Sequence, residues 1–222
     1  MSVKENLLEV LKEIPQGVEL VAVSKFHPAD MIMEAYEAGQ RCFGESRVQE
    51  LLEKEKCLPS DIKWHFIGHL QTNKVRQLIG KAALIESVDS ERLLRLIDAE
   101  STKAGVVTRV LMQVHVAQEE TKLGFSPDEL LDFFSRRGFE SLTATHICGV
   151  MGMASNTDDL DRVRADFRNI ASIYRKIADD ESLGLRGFDV LSKGMSGDWQ
   201  IAVEEGADLV RIGTRIFGAR QY

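Results

Sequence analysis

The sequence predicts an α/β fold, a single (β/α)8 TIM-type barrel with an extra N-terminal helix. Three observations point there. Short apolar runs rich in β-branched residues alternate with longer stretches of helical period. Eight such runs can be counted in 222 residues. That length suits one α/β barrel of roughly 200–250 residues, so the expectation is one domain over 1–222.

The chain opens with an amphipathic segment, Met1 to Pro15, in which Leu7, Leu8, Leu11 and Ile14 mix with Lys4, Glu5, Glu9, Lys12 and Glu13. It reads as a helix and lacks the unbroken apolar stretch of a signal peptide. The strand candidates are Glu19–Val23, Arg41–Phe43, Lys63–Ile67, Ala83–Ile85, Thr108–Val116, Thr145–Cys148, Phe188–Leu191 and Asp208–Ile212. Helices fall between them at Pro28–Ala38, Val48–Cys57, Asn73–Leu78, Glu91–Lys103, Pro127–Arg136, Asp158–Ala178 and Gly197–Glu205. Pro28 suits a first helical turn, and Ser126 precedes Pro127 as a cap. In the longest helix Leu160, Val163, Phe167, Ile170, Tyr174 and Ile177 recur at three- and four-residue spacing, which predicts one buried face. An open doubly wound sheet is the alternative. The first strand argues against it, because it runs into Ser24-Lys25-Phe26-His27-Pro28 and not into a Gly-rich dinucleotide turn.

Composition narrows the function classes. The 28 Lys and Arg against 35 Asp and Glu leave a net charge of −7, so nucleic acid is not expected as a partner. Three cysteines, Cys42, Cys57 and Cys148, form no disulfide framework and point to a reducing compartment, the cytoplasm. No segment approaches the roughly 20 apolar residues of a membrane span, so no membrane is expected. His65 and His69 have His-x-x-x-His spacing, but His65 sits in a strand-like run, Gly68 suits a turn, and no third ligand follows. No metal is expected.

In a barrel, chemistry gathers where strands end. Strand seven leads into Met195-Ser196-Gly197, with Ser196 and Gly197 opening the next helix, and strand eight ends at Arg211-Ile212-Gly213-Thr214. Each reads alone as an ordinary tight turn. Together, after strands seven and eight, they sit where barrels bind phosphate. Lys25 follows strand one, the neighbour of strand eight in a closed barrel. It reads either as a lysine whose stem packs while its head reaches water, or as an amine kept neutral enough to attack an aldehyde. An aldehyde bearing a phosphate is pyridoxal 5′-phosphate. Arg211 would face its pyridine nitrogen, or else form a structural ion pair.

Several ordered motifs carry a resemblance. They are Val21-Ala22-Val23-Ser24-Lys25, Phe43-Gly44-Glu45, His65-Phe66-Ile67-Gly68-His69-Leu70-Gln71-Thr72-Asn73-Lys74, Leu191-Ser192, Gly194-Met195-Ser196 and Val210-Arg211-Ile212-Gly213-Thr214. The sequence resembles the pyridoxal phosphate homeostasis proteins, whose fold is similar to the N-terminal barrel of alanine racemase. The resemblance implies a Schiff base on Lys25, Arg211 at the ring nitrogen, phosphate contacts from Ser196, Gly213 and Thr214, and a pocket lined by His65 and Met195. Two positions depart from the family pattern. Ser46 stands where the family commonly has Asn, which puts its ring contact in question. Lys193 replaces a Met beside the phosphate loop and is expected to face solvent.

The implied role is a carrier that holds the cofactor for its intracellular homeostasis, with transient contact to pyridoxal phosphate-dependent apoenzymes. An amino-acid racemase is the alternative, and racemisation needs acid/base groups on both faces of the cofactor adduct. In alanine racemases the second group comes from a further domain. This sequence stops at Tyr222 without one, which favours the carrier. A class I aldolase, with Lys25 taking a sugar phosphate, is a third reading.

Overall fold

The computed structural model describes residues 2–117 and 123–219. Tyr222 and the full 1–222 span of the expected domain therefore reach outside the described residues. Eight parallel strands close into a barrel in chain order, β1 pairing with β2 and, at the seam, with β8. They are β1 Glu19–Val23, β2 Cys42–Glu45, β3 Lys63–Phe66, β4 Leu84–Val88, β5 Thr108–His115, β6 Thr145–Met153, β7 Val190–Met195 and β8 Leu209–Ile212. The helices are α1 Val3–Glu13, α2 Ala29–Glu37, α3 Val48–Cys57, α4 Val75–Leu78, α5 Glu91–Ala104, α6 Pro127–Ser135, α7 Leu160–Ala178, α8 Trp199–Glu204 and α9 Thr214–Phe217.

Local chemistry explains the boundaries. Ser2 with Glu5, and Ser126 with Glu129, form capping boxes at α1 and α6. Pro28 is the cap of α2 and the helix begins one residue later. Strands β4, β6 and β7 run several residues beyond the apolar stretches that predict them. Their C-terminal halves carry Glu86 and Ser87, glycines and methionines, and Ser192 and Lys193, so hydrophobicity fades while the ladder continues.

Alternation divides the strand side chains into two sets. Leu20, Ala22, Phe43, Trp64, Phe66, Ile85, Val110, Val150, Val210 and Ile212 join the large core between barrel and helices. Two small clusters, Val21 with Cys42 and Leu209, and Leu84 with Leu111, Cys148 and Met151, lie apart from it and fill the lumen. The helical stripes differ in detail from the periodic reading. Leu160 heads α7 but is 61% exposed, and Leu8 and Leu11 of α1 are also exposed. The burying faces are Val163, Phe167, Ile170 and Ile177 in α7, and Val3, Leu7 and Val10 in α1.

The solvent-facing expectation for Lys193 is overturned. Its side chain is 0% exposed. Strand alternation turns it outward under α7 and α8, where Nζ donates to the Phe167 carbonyl at 3.1 Å and the Glu205 carbonyl at 2.8 Å. Burial is the main cause that pulls its pKa down from 10.5 to about 8. At neutral pH the folded state therefore holds a cation in a largely apolar layer.

The unfolded chain keeps the Lys193 proton up to its ordinary value of 10.5, while the folded protein releases it near 8. Stability contributed by this group is lowest below 8 and rises as pH increases through that window. Lys193→Met is expected to raise stability at pH 7 by about 1–3 kcal/mol and to flatten the rise above pH 8. Urea unfolding at several pH values measures both, and a destabilised Met variant would show that the two carbonyl contacts outweigh the burial cost.

Candidate functional site

The first and last strands build one side of the barrel mouth. Ala22 of β1 pairs with Ile212 of β8, so Val23 lies beside Gly213. The approach is close: a Cβ on Gly213 would stand 3.1 Å from the Val23 carbonyl oxygen and 3.2 Å from its Cβ. His27, two residues past Lys25, stacks on Phe217 of α9 with ring centroids 5.2 Å apart. Lys25 itself is half-buried in the turn that follows β1. Ser24 donates its hydroxyl to Glu45 Oε1 at 2.6 Å, and its carbonyl accepts from the His27 N–H, closing the turn that carries Lys25.

The loops after β7 and β8 touch. The Gly213 N–H donates to Ser196 Oγ at 3.1 Å, which leaves the Ser196 hydroxyl hydrogen to donate elsewhere. Ser196 and Gly197 do not open α8. The helix starts at Trp199 with Asp198 as its cap residue, and Asp198 Oδ1 accepts from the Met195 amide. The predicted helix start gives way because Asp198 closes a tight turn over 195–198 first. Met195 is 41% exposed and registers with Arg211. Thr214 is exposed at the start of α9, and Ser46 is half-buried at the end of β2. The closed barrel thus gathers Lys25, Met195, Ser196, Gly213 and Thr214 on neighbouring strand ends, with Ser46 one strand away on the other flank of Lys25.

Arg211 and His65 lie deeper and meet a residue that sequence reasoning missed. Glu86 is fully buried and reaches across the lumen from β4. Its Oε1 is 2.7 Å from His65 Nδ1, and its Oε2 accepts from Ser192 Oγ at 2.6 Å. Arg211 Nη1 donates to Ser192 Oγ and lies 3.6 Å from Glu86, while Nη2 donates to the Gly152 carbonyl at 3.1 Å. Burial acts to raise the Glu86 pKa, but the His65 hydrogen bond and the His65 and Arg211 charges together hold it below its ordinary value. Burial lowers the Arg211 value, opposed by the Glu86 charge. The ion-pair reading of Arg211 is thus realised, and the same contacts fix the plane of a guanidinium that retains further donors. A carboxylate inside an otherwise apolar strand, Leu84-Ile85-Glu86, was the available signal.

A second polar cluster sits outside the lumen, behind Lys25. Lys54 of α3 donates to Glu45 Oε1 and Glu50 Oε1, both at 2.7 Å, and to the Ser24 carbonyl at 2.9 Å. Glu50 in turn accepts from the Phe26 N–H at 2.6 Å. The peptide groups on both sides of Lys25 are thereby clamped, and Phe26 is held at φ +67°, a left-handed conformation costly for an aromatic residue. Burial pushes the Glu45 carboxyl up to about 7 against the opposing pull of Lys54.

His69 pairs with Asp89 at 2.9 Å and not with His65. Glu19, Cys42 and His65 bring potential ligand atoms within 4.8 Å of one another. There the Cys42 thiol, pushed up to about 12 chiefly by burial, donates to Glu19 at 2.8 Å.

A closed parallel barrel with a lysine and a hydroxyl-lined double turn on adjacent first and last strands defines a class of small-ligand-binding barrels, with the site at the strand C-termini. The sequence model of the family described as alanine racemase, N-terminal domain, matches residues 1–221, and the chain belongs to that family, among its pyridoxal phosphate homeostasis proteins. The pyridoxal phosphate homeostasis protein of Aquifex aeolicus is 37% identical over all of both chains. That of Homo sapiens is 40% identical over all of this chain and 85% of its own. Among solved structures, PipY of Synechococcus elongatus with PLP bound superimposes at TM-score 0.89 with 35% identity, covering 98% of this chain and all of PipY. Alanine racemase from E. faecalis aligns at TM-score 0.74 and 17% identity, over 98% of this chain and 57% of the racemase, a likeness of fold.

Replacing Glu86 by Gln keeps its shape and leaves Arg211 buried without a counter-charge. Glu86→Gln is expected to cost about 3 kcal/mol in urea unfolding at pH 7. An unchanged midpoint would show that Ser192 and the Gly152 carbonyl suffice to hold the guanidinium.

Proposed function

We propose that this chain binds pyridoxal 5′-phosphate covalently through Lys25 and serves the homeostasis of that cofactor as a carrier, not as a conventional catalyst. The observation that supports this best is the Lys25 turn lying beside the Gly213–Thr214 turn across the β1–β8 seam. The Lys25 amine would take the aldehyde carbon with loss of one water, and the group so held would supply an electrophilic carbon conjugated to its ring.

The donor set fits such a ligand. The hydroxyls of Ser196 and Thr214 would hold the phosphate, with the Gly213 backbone allowing close approach. Arg211, steadied by Ser192, the Gly152 carbonyl and Glu86, would donate to the ring nitrogen and keep it unprotonated, which weakens electron withdrawal. His65 and Met195 would line the pocket, with Ser46 at its β2 edge. The Lys54–Glu50 clamp holds the backbone of the attachment residue still.

Relatives matched over most or all of their length are called homeostasis proteins, and one solved relative is described with PLP bound. We further read the chain as one domain over 1–222, working in the cytoplasm and passing its cofactor to apoenzymes. Among the described residues no helix is long and apolar enough to cross a membrane.

Purified protein is expected to show the absorbance of a lysine-linked cofactor, and borohydride reduction with peptide mapping should place the tag on Lys25. Lys25→Ala should lose both signals while retaining weaker, phosphate-anchored binding; unchanged absorbance in that variant would refute the assignment. Thr214→Val should weaken cofactor retention by about 1–3 kcal/mol, measured by equilibrium dialysis. Robust turnover of any amino acid by the loaded protein would replace the carrier with the racemase.

A further inference from the structure

The motif from His69 to Lys74 finds no role in the Lys25 site, yet it lines a cavity of its own. Ser46, Arg47, Val48, Gln49, Phe66, His69, Gln71 and Lys74 enclose about 330 Å³ between the ends of β2 and β3. No carboxylate lines it, although the chain carries more acids than bases. Its two permanent cations come from different loops, Arg47 from the start of α3 and Lys74 from the turn before α4. Among the described residues neither has a carboxylate within ion-pair distance.

One of the two cations is held in place. The Arg47 guanidinium lies 4.6 Å from the centroid of the Phe26 ring, a cation–π contact that leaves its N–H edge for another partner. Asp89 orients the His69 ring through Nδ1. Gln71 adds a side-chain amide, Gln49 keeps one N–H beyond the one it gives to Glu53 Oε1 at 3.0 Å, and Arg47, as the cap residue of α3, supplies no side-chain acceptor to that helix's first N–H groups.

We infer that this cavity is a second anion site, adjoining the Lys25 pocket at Ser46, that takes the phosphate group of a small phosphate monoester. Two cations lining one cavity that no acid lines match a compact dianion. The volume admits a phosphate with a small organic group. A nucleic acid strand is disfavoured by the overall charge of −7. Ser46 and the Phe26–Arg47 stack join this site to the Lys25 turn, so a phosphorylated molecule seated here waits one loop from the attachment lysine. In that respect the inference rests on the proposed function, while its charge complementarity does not.

The test loads full-length protein with pyridoxal 5′-phosphate, so that the Lys25 site is filled, and then titrates inorganic phosphate by heteronuclear NMR. One saturable site is expected, with shifts at the Gln49 and Gln71 side-chain amides and the His69 ring. Lys74→Met and Arg47→Met, both at accessible positions, should each weaken it at least tenfold, and Lys74→Met should leave the cofactor absorbance unchanged. Two competitors identify the source of the phosphate. Pyridoxine 5′-phosphate, which lacks the aldehyde, binding tenfold better than glycerol 3-phosphate supports a B6 vitamer in transit; equal competition supports a general phosphate-ester site. Absence of saturable binding, or affinity unaltered in both variants, overturns the inference. Failure of the Lys25 reading appears separately, as absent absorbance in the wild-type protein before any phosphate is added.

Discussion

A carboxylate buried at the centre of the barrel organises everything above it. Glu86 leaves β4, crosses the lumen and is met by His65 from β3 and Ser192 from β7, with the Arg211 charge from β8 close by. An isolated carboxylate in that position would be prohibitively costly, and it is tolerated because neighbouring charge and hydrogen bonds satisfy it. The same contacts set the orientation of Arg211 and His65 before any ligand arrives. Preorganisation of this kind reduces the ordering cost that binding would otherwise carry.

The polar groups fall into two layers with different tasks. The inner one, around Glu86, forms the floor of the mouth. The outer one, Glu45 with Lys54 and Glu50, never enters the lumen and instead grips the Ser24 carbonyl and the Phe26 amide. Lys25 sits between them. The backbone strain at Phe26 is maintained by this grip, so the backbone on both sides of Lys25 is positioned from outside the lumen.

The fold was legible because alternating apolar runs report burial directly, and the eight runs map onto eight observed strands; the family reading rested instead on ordered motifs such as His65 to Lys74 and Val210 to Thr214. The adjacency of Lys25 with Gly213 and Thr214 followed from closure alone. What resisted reading were residues whose environment depends on distant strands. Whether Lys193 meets water or two carbonyls is decided by α7 and α8 packing over β7, and a lysine stem looks the same in either case. Ser196 seemed to begin a helix because the turn stabilised by Asp198 has no distinctive residue before it. Glu86 was overlooked since its strand was taken to end at Ile85, where the hydrophobic signal stops. Arg47 and Lys74 stand far apart in the chain, and only the pairing of β2 with β3 brings their loops together.

The β1–β8 seam has a consequence for the life of the protein. Lys25 follows β1 and the Gly213–Thr214 turn follows β8, so the two come together only when the barrel closes at its seam. A chain folded through its earlier strands alone holds the lysine without the turn beside it, so a ligand that needs both can be held only after β8 has docked.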